Sequence, residues 1–446
     1  MSASEASIFE ELFLESNDQE RTADLKSGVV SIDYYEDILS PTVTAKVRVI
    51  NTGDSIAPKD PNDPKKTDGP RQSIYNGLPL RGGERLVMKI LDRGKTFGGE
   101  EKTGLDFSND PKKYLFVSSI TQVFQETQRE SFLLNLVSRE AITNETTRVM
   151  KRYNGPISGS VTKILKDVLK IDESRYSVEN TRGSYDFVGN LRKPFSTLIS
   201  LASKSVPDVS KNATAGFVFF QNQDGFKFAS IDSLIKKPSK ATYTYTDVNE
   251  SSITRNNDFK ILKYSVDKNQ NLIENLRMGT YSFVRLAFNP LTFAFSQTKY
   301  NYGAKEGIKN LGKDLELPKI SDDSNLTLDQ LPTRTVSQIV DVGAAVGIST
   351  DTNYSPEEYQ GQNIVRYNLL MTQNISMMVP CNTDLKAGDI ITCEFPKISR
   401  EDKNDIDQET SGKYMIKELC HHFEAKRSFT SMTLVRDTYG LHGGES

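Results

Sequence analysis

Residues 417–426 read KELCHHFEAK and hold one of the chain's three cysteines and two of its three histidines, side by side. Thiolate and imidazole can bind zinc, or pair as a nucleophile and its base. Cys420, His421 and His422 are therefore the first place to look for chemistry. The segment has the pattern of a strand, and successive strand residues point to opposite faces. His421 then cannot share a face with Cys420 and His422. Those two lie about 6–7 Å apart along a strand, too far for a nucleophile pair by default. A zinc site would still lack two of its usual four ligands, which scattered carboxylates or His442 would have to supply. The expectation is a strand that holds no metal and does no catalysis.

Other reactive constellations are scarce. The sequence contains no Gly-x-x-x-x-Gly-Lys-Ser/Thr phosphate loop, no His-Glu-x-x-His and no Gly-x-Ser-x-Gly elbow. Asp322 with Asp323, and Asp402 with Asp405, offer paired acids of the kind a glycosidase uses. They sit in polar stretches with no apolar pocket to raise a pKa, so solvated loop charge is the expected role. RGGE at 81–84 reads as a turn entering a strand, too short and glycine-poor for a nucleotide loop. Phe217, Phe219, Phe226 and Phe228 could stack the bases of a single strand of nucleic acid. The charge around them is mixed, and a hydrophobic core is their expected place. No catalytic, cofactor-binding or metal-binding residue is expected.

The elements that carry these residues belong to an ordinary globular composition. At 446 residues the chain exceeds one core, and two to four domains are expected. A formal charge of -3 creates no basic field to gather nucleic acid. Cys381, Cys393 and Cys420 are widely spaced and odd in number, which favours a reducing compartment over a disulfide framework. Residues 1–20 contain no lysine or arginine and do not read as an export signal. Ile8, Phe9, Leu12, Phe13 and Leu14 have near-helical spacing among glutamates, so residues 1–25 read either as an acidic arm able to dock on a partner or as a frayed acidic terminus. No apolar run approaches the roughly 18–20 residues needed to span a bilayer.

From residue 26 a two-residue period dominates. TVTAKVRVI alternates Val43, Ala45, Val47 and Val49 with Thr42, Thr44, Lys46 and Arg48, as a half-buried strand requires. Strand-like runs at 84–91, 113–124 and 131–140 complete a first antiparallel barrel or sandwich over 26–153, interrupted by an exposed proline-rich loop at 51–79. Residues 154–238 change character. Two helical stripes, the second opening at Pro194, precede a hairpin closed by Asp224-Gly225, which together read as a small α/β domain. Beyond 239 alternation returns in ATYTYTDV, DFKILKYSV, GTYSFVRLAF and LTFAFSQTKY, with a short helix ending at Gly279. Residues 303–360 read as a loop-rich insertion, and SPEE at 355–358 as the start of a helix reaching about Thr372. Alternating runs to 440 make a second strand-rich region over 239–446. The fold class is α+β, mainly β: two antiparallel strand-rich domains flanking an α/β domain, both of them barrels if the resemblance given next holds.

This order resembles the baseplate hub protein of contractile-tailed, T-even-like bacteriophages and the hubs of phage-like injection machines. The likeness is most specific in VPCNTDLKAGDIITCEFP and SGKYMIKELCHHFEAKRSFTSMTLVRD, and extends to GTYSFVRLAFNPLTFAFSQTKYNY and GFVFFQNQDGFKFAS. The 51–79 loop and the 303–360 insertion have no obvious counterpart in that pattern. The resemblance implies a non-enzymatic homotrimer without cofactors. Two barrels from each chain would make a ring of six similar modules, joining the sixfold tail tube to a threefold central spike. Its implied partners are the spike, the tube or tube-initiator protein, the tape measure protein and the baseplate wedge. DNA would be met only in transit through the lumen, without stable membrane insertion. Location in the virion baseplate after assembly in the host cytoplasm follows, with His422 and Phe423 as packing residues of a tube strand. Two other readings are a peptidoglycan-cleaving tail enzyme and the hub of a non-phage injection system. A glycan-binding module is disfavoured, since the sequence has no tryptophan.

Overall fold

In the computed structural model, residues 7–441 are described, except residue 20, short stretches within 53–70, residues 79, 269 and 291, and segments 92–103, 209–213, 246–258, 303–309, 314–316, 322–323, 341–355 and 398–405. The chain is mainly β, and one 14-stranded sheet joins strands from both of its ends.

The N-terminal strands are β1 (Ile8–Glu15), β2 (Val29–Asp37), β3 (Thr44–Asn51), β4 (Arg85–Leu91), β5 (Leu115–Gln125) and β6 (Glu130–Ser138). Along β3, Ala45, Val47 and Val49 point inward and Lys46, Arg48 and Ile50 outward, so the period-two pattern is realised residue by residue. Around the sheet these strands run β2-β3-β6-β5-β4-β1, every neighbour antiparallel, and enclose one core that includes Leu14, Ile32, Val47, Met88 and Leu134. Residues 8–15 are not the helical arm expected of them. Leu12 and Leu14 satisfy a period of two as well as a helical one, and the ladder to β4 decides the matter. In the expected 51–79 loop, residues 59–60 and 63–67 pair as a small hairpin, and Ile74–Gly77 form a helical turn.

Helix α1 (Arg139–Thr146) leads into the middle unit. Its α2 (Ile157–Lys163) continues through a π-turn at Ile164–Val168, and α3 (Pro194–Ala202) carries Pro194 in its first turn. These helices pack on β7 (Tyr176–Val178), β8 (Phe217–Asn222) and β9 (Gly225–Ser230). Strands β8 and β9 form the expected hairpin, and Gly225 supplies φ +118 at its turn, where a Cβ would stand 2.1 Å from the Arg175 carbonyl oxygen. Phe217, Phe219, Phe226 and Phe228 are all buried. The stacking-platform reading fails because helices already cover those rings.

The C-terminal strands are β10 (Ser239–Thr244) and β11 (Lys263–Lys268) and then, after an insertion, four more. The insertion comprises α4 (Leu272–Met278), β12 (Ser282–Phe288), β13 (Phe295–Asn301), β14 (Arg334–Ile339) and α5 (Pro356–Leu370). The later strands are β15 (Gln373–Pro380), β16 (Ile390–Glu394), β17 (Gly412–Glu424) and β18 (Ser428–Arg436). Two expectations are corrected here. Strands β12 and β13 lie outside the large sheet, forming a three-stranded sheet of order β13-β12-β14 over a core shared with α5. The 303–360 stretch is not all loop, since β14 pairs in parallel with β12.

The six C-terminal strands of the large sheet run β11-β15-β18-β17-β16-β10. With the three-residue strands Thr22–Asp24 and Gly104–Asp106, which pair with β1 and β4, left out and the six numbered along the chain within each set, both sets have the order second, third, sixth, fifth, fourth, first. They differ at the last pair, which is antiparallel in the first set (β4 with β1) and parallel in the second (β16 with β10). Among the described residues no continuous ladder closes either set. The edges of the second meet at one bridge, Thr244 to Lys260.

Candidate functional site

The residues that opened the question lie where the two sets join. Strand β17 has 13 residues, and one bulge between Ile416 and Glu418 divides its partners. Its first part pairs with β16, and Glu418–Glu424 pair with Asp37–Ser31 of β2. Cys420, His421 and His422 are thus the seam of the sheet, in register with Tyr35, Tyr34 and Asp33.

Alternation splits the triplet as strand geometry requires. His421 points inward, fully buried, with its ring stacked on Tyr34 at 6.2 Å and its Nδ1 2.9 Å from the Thr430 hydroxyl. Burial lowers its pKa to about 4, so the ring is neutral near pH 7. His422 points to the other face between two carboxylates. Its Nδ1 bonds to Asp33, its Nε2 lies 2.9 Å from Glu424 Oε1, and its ring stacks on Phe429 at 4.5 Å. The bond to Asp33 raises its pKa against the opposing effect of burial. Both ring nitrogens are occupied, which leaves no free lone pair for a metal or a nucleophile's proton. Burial pushes the Cys420 thiol up to about 12, far from thiolate chemistry. Among the described residues no group of three or more His, Cys, Asp or Glu side chains could hold a metal ion. Cys393 is buried in the core of the second set, and Cys381 packs at the edge of the first. His442, Asp322, Asp323, Asp402 and Asp405 lie outside the described residues. At 81–84, the Glu84 carboxylate accepts the Arg81 and Gly82 N–H groups in a turn that enters β4.

Two polar clasps that motif reading missed hold the units together. Arg366 of α5, 2 % exposed, bonds Asp232 of the middle unit at 2.9 Å and Asp437, just past β18, at 3.0 Å. Glu36 of β2, 1 % exposed, accepts hydrogen bonds from Tyr34 Oη at 3.0 Å, from the Gln223 N–H at 2.6 Å and from the Ala387 N–H at 2.8 Å. One signal was available. Glu36 shares the inward register of Ile32 and Tyr34, so a carboxylate had to be buried there and find donors.

The outward face of the joined sheet is polar and mixed in charge. Asp33 stands opposite Lys46, and Lys46 Nζ lies 5.6 Å from the Tyr35 ring. A shallow groove of about 410 Å³ crosses this face at the seam, lined by Tyr35, Tyr264, Met378, Glu418, Cys420 and Thr433 among others. The arrangement can present a continuous surface.

No protein-family model matches the chain. Over 288 residues it is 22% identical to the curated "Probable baseplate hub protein gp334" of Vibrio phage KVP40, which covers 63% of this chain and 66% of that protein. The match therefore spans just under two thirds of the relative's length. In fold, the chain is similar to the tail protein of Neisseria meningitidis MC58, with 9% identity, TM-score 0.52 and 96% of both chains covered. It is also similar to the 43 kDa tail protein of prophage MuSo2 from Shewanella oneidensis, with 8% identity and TM-score 0.50, covering 96% of this chain and 98% of that one. The resemblance to phage baseplate hub proteins read from the sequence holds in both respects: sequence over its larger part, and tail-protein fold over nearly its whole length.

Proposed function

We propose that the chain is a structural baseplate hub of a contractile phage tail or related injection machine. Three copies form a ring, and each contributes two pseudo-equivalent barrel modules, one from each strand set. The observation that carries this reading is the shared order of six strands in two sets fused through one sheet. A duplicated module presents six similar contacts from three chains, which suits a sixfold tube on one side and a threefold spike on the other. The modules correspond to residues 26–153, extended by β1, and to 239–446 with its insertion, with 154–238 between them. The role is passive: to hold the spike, start the tube, meet the tape measure and wedge proteins, and line part of the DNA path in the virion.

Free strand edges support the ring. From β11 to β5 the joined sheet runs through eight strands, β11-β15-β18-β17-β2-β3-β6-β5. Strand β4 pairs with β5 only at Leu115 and Phe116, so residues 118–125, SSITQVFQ, have no second ladder among the described residues. None of the eight is charged, although unpaired edges are normally guarded by charge or proline. At the far end, among the described residues, Lys263–Lys268 of β11 pair with β15 alone, and only the chain just before them bridges to β10, at Lys260. Edge-to-edge contact between the β5 of one copy and the β11 of the next would close the wall. Its polar, mixed-charge face would then turn to DNA without the phosphate contacts that retain it.

Mass measurement of the purified chain with electron microscopy tests this. A trimeric ring with a central hole is the expected result. A compact monomer, or hydrolysis of cell wall by the purified chain, would overturn it.

A further inference from the structure

The three-stranded sheet β13-β12-β14 has one covered face and one bare one. The covered face packs on α5 through Phe283, Tyr300, Val365 and Leu369. On the bare face, register sorts the side chains into rows by chemistry. At the tip, Phe288 pairs with Phe295 on one side and Ile339 on the other. One row back stand Leu286, Gln297 and Ser337, and behind them Val284, Lys299 and Thr335. Phe295 is 79 % exposed, Ile339 67 % and Phe293, in the β12–β13 connection, 77 %. The three phenylalanine rings nonetheless form one cluster, with Phe288 4.9 Å from Phe295 and 6.1 Å from Phe293. Phe293 has φ +57, a left-handed backbone that a bulky residue rarely takes. The connection thus holds an aromatic ring out at the tip under local strain. Apolar residues exposed singly need no account, but a cluster of this kind marks a contact surface.

Charge decides what the surface contacts. Residues 282–301 and 334–339 include Arg285, Lys299 and Arg334 and no carboxylate, in a chain of formal charge -3. Asp341, the next acid along the chain, lies outside the described residues. Lys299 and Arg334 are exposed toward the opposite end of the sheet, roughly 13–17 Å behind the tip by the strand rise. They donate to the carbonyls of Gln330 and Met278. Between them and the rings, the outward positions Leu286, Gln297 and Ser337 are uncharged. Apolar tip, neutral middle and cationic base follow the polarity of a bilayer surface from acyl chains to anionic headgroups. A protein pocket would require no such gradient. We propose that the tip of this sheet is a peripheral membrane contact, which seats Phe293, Phe295 and Ile339 among the outermost acyl segments of an anionic lipid surface, with Lys299 and Arg334 facing the headgroups. Penetration ends there. Among the described residues β13 and β14 are edge strands, and hydrocarbon cannot satisfy the backbone N–H and C=O groups of an edge. Attachment is therefore reversible, and it does not depend on ring formation.

Co-sedimentation of the full-length chain with vesicles tests the contact. Vesicles of phosphatidylcholine and phosphatidylglycerol in equal parts should carry the chain down, and phosphatidylcholine alone should retain clearly less of it. Added salt should weaken the anionic preference. Phe293→Ser with Phe295→Ser should lower the vesicle partition at least about tenfold, since two rings lose their apolar burial. Met150→Ser, which removes an exposed apolar side chain from the middle unit, should bind as the wild type does. The chain has no tryptophan, so Phe293→Trp supplies a single reporter. Its emission should move to the blue on the anionic vesicles and be quenched by brominated acyl chains. That variant keeps an apolar ring at the position and reads the tip even if the serine pair fails to fold. No vesicle binding, equal partition to the two lipids, undiminished binding by the serine pair, an equal loss in Met150→Ser, or an indole unmoved by vesicles would overturn the proposal. So would a serine pair that changes the mass of the chain in solution and not its lipid binding, which would make the tip a protein contact.

Discussion

At the residue scale, the histidine pair shows how one strand gives neighbouring side chains opposite chemistry. His421 is buried and neutral, whereas His422, one residue on, is held toward its cation by Asp33 and Glu424. The sign follows from the raised value. The stabilisation by His422 is present below the ordinary imidazole pKa and lost as pH rises through the raised one. His422→Gln should therefore cost about 1–2 kcal/mol at pH 6 and clearly less at pH 9, measured by urea unfolding at each pH. An equal loss at both would mean that the charge contributes nothing. This pair was half legible. Alternation foretold the split of the faces, but nothing near residue 422 encodes Asp33, its partner 389 residues away.

At the element scale, the hairpin and the helices were readable because their causes are local. Pro194 in a first turn, Gly279 at φ +73 after α4 and Gly225 at φ +118 are backbone requirements written into residue type. Gly225→Ala must accommodate both the left-handed backbone and the Arg175 carbonyl. A loss of at least about 1–3 kcal/mol is expected, concentrated in the middle unit and visible in its exchange protection. Normal stability of that variant would show that the turn tolerates a Cβ. Helix α5 was also foreseen, but its task was not. Arg366→Ala leaves Asp232 and Asp437 buried without their cation and should cost about 3–5 kcal/mol by thermal or denaturant unfolding. A loss below about 1 kcal/mol would mean that water reaches those carboxylates. Strand β1 was misread for a definable reason: eight residues fit a helical stripe and an alternating one equally, and only the β4 ladder distinguishes them.

At the scale of the whole molecule, the uncharged edge of β5 carries the assembly. Val123→Lys with Phe124→Lys places two cations on exposed positions of that edge. The double variant should be monomeric by sedimentation and keep the melting temperature of the isolated chain, since surface changes cost little in the fold itself. A variant that still forms rings would move the contact elsewhere. Composition and periodicity alone determined the mainly β class, the two strand-rich ends, the central helices and hairpin, and the lack of reactive motifs. Those features depend on side-chain alternation and backbone preference within a few residues. Only the tertiary structure decided that the two ends share one sheet, that β12 to β14 stand apart from it, and that Glu36 gathers three units. Pairing between distant strands is chosen by competition among many edges of similar pattern, and a buried carboxylate finds its donors only when chain segments far apart in sequence have already been brought together.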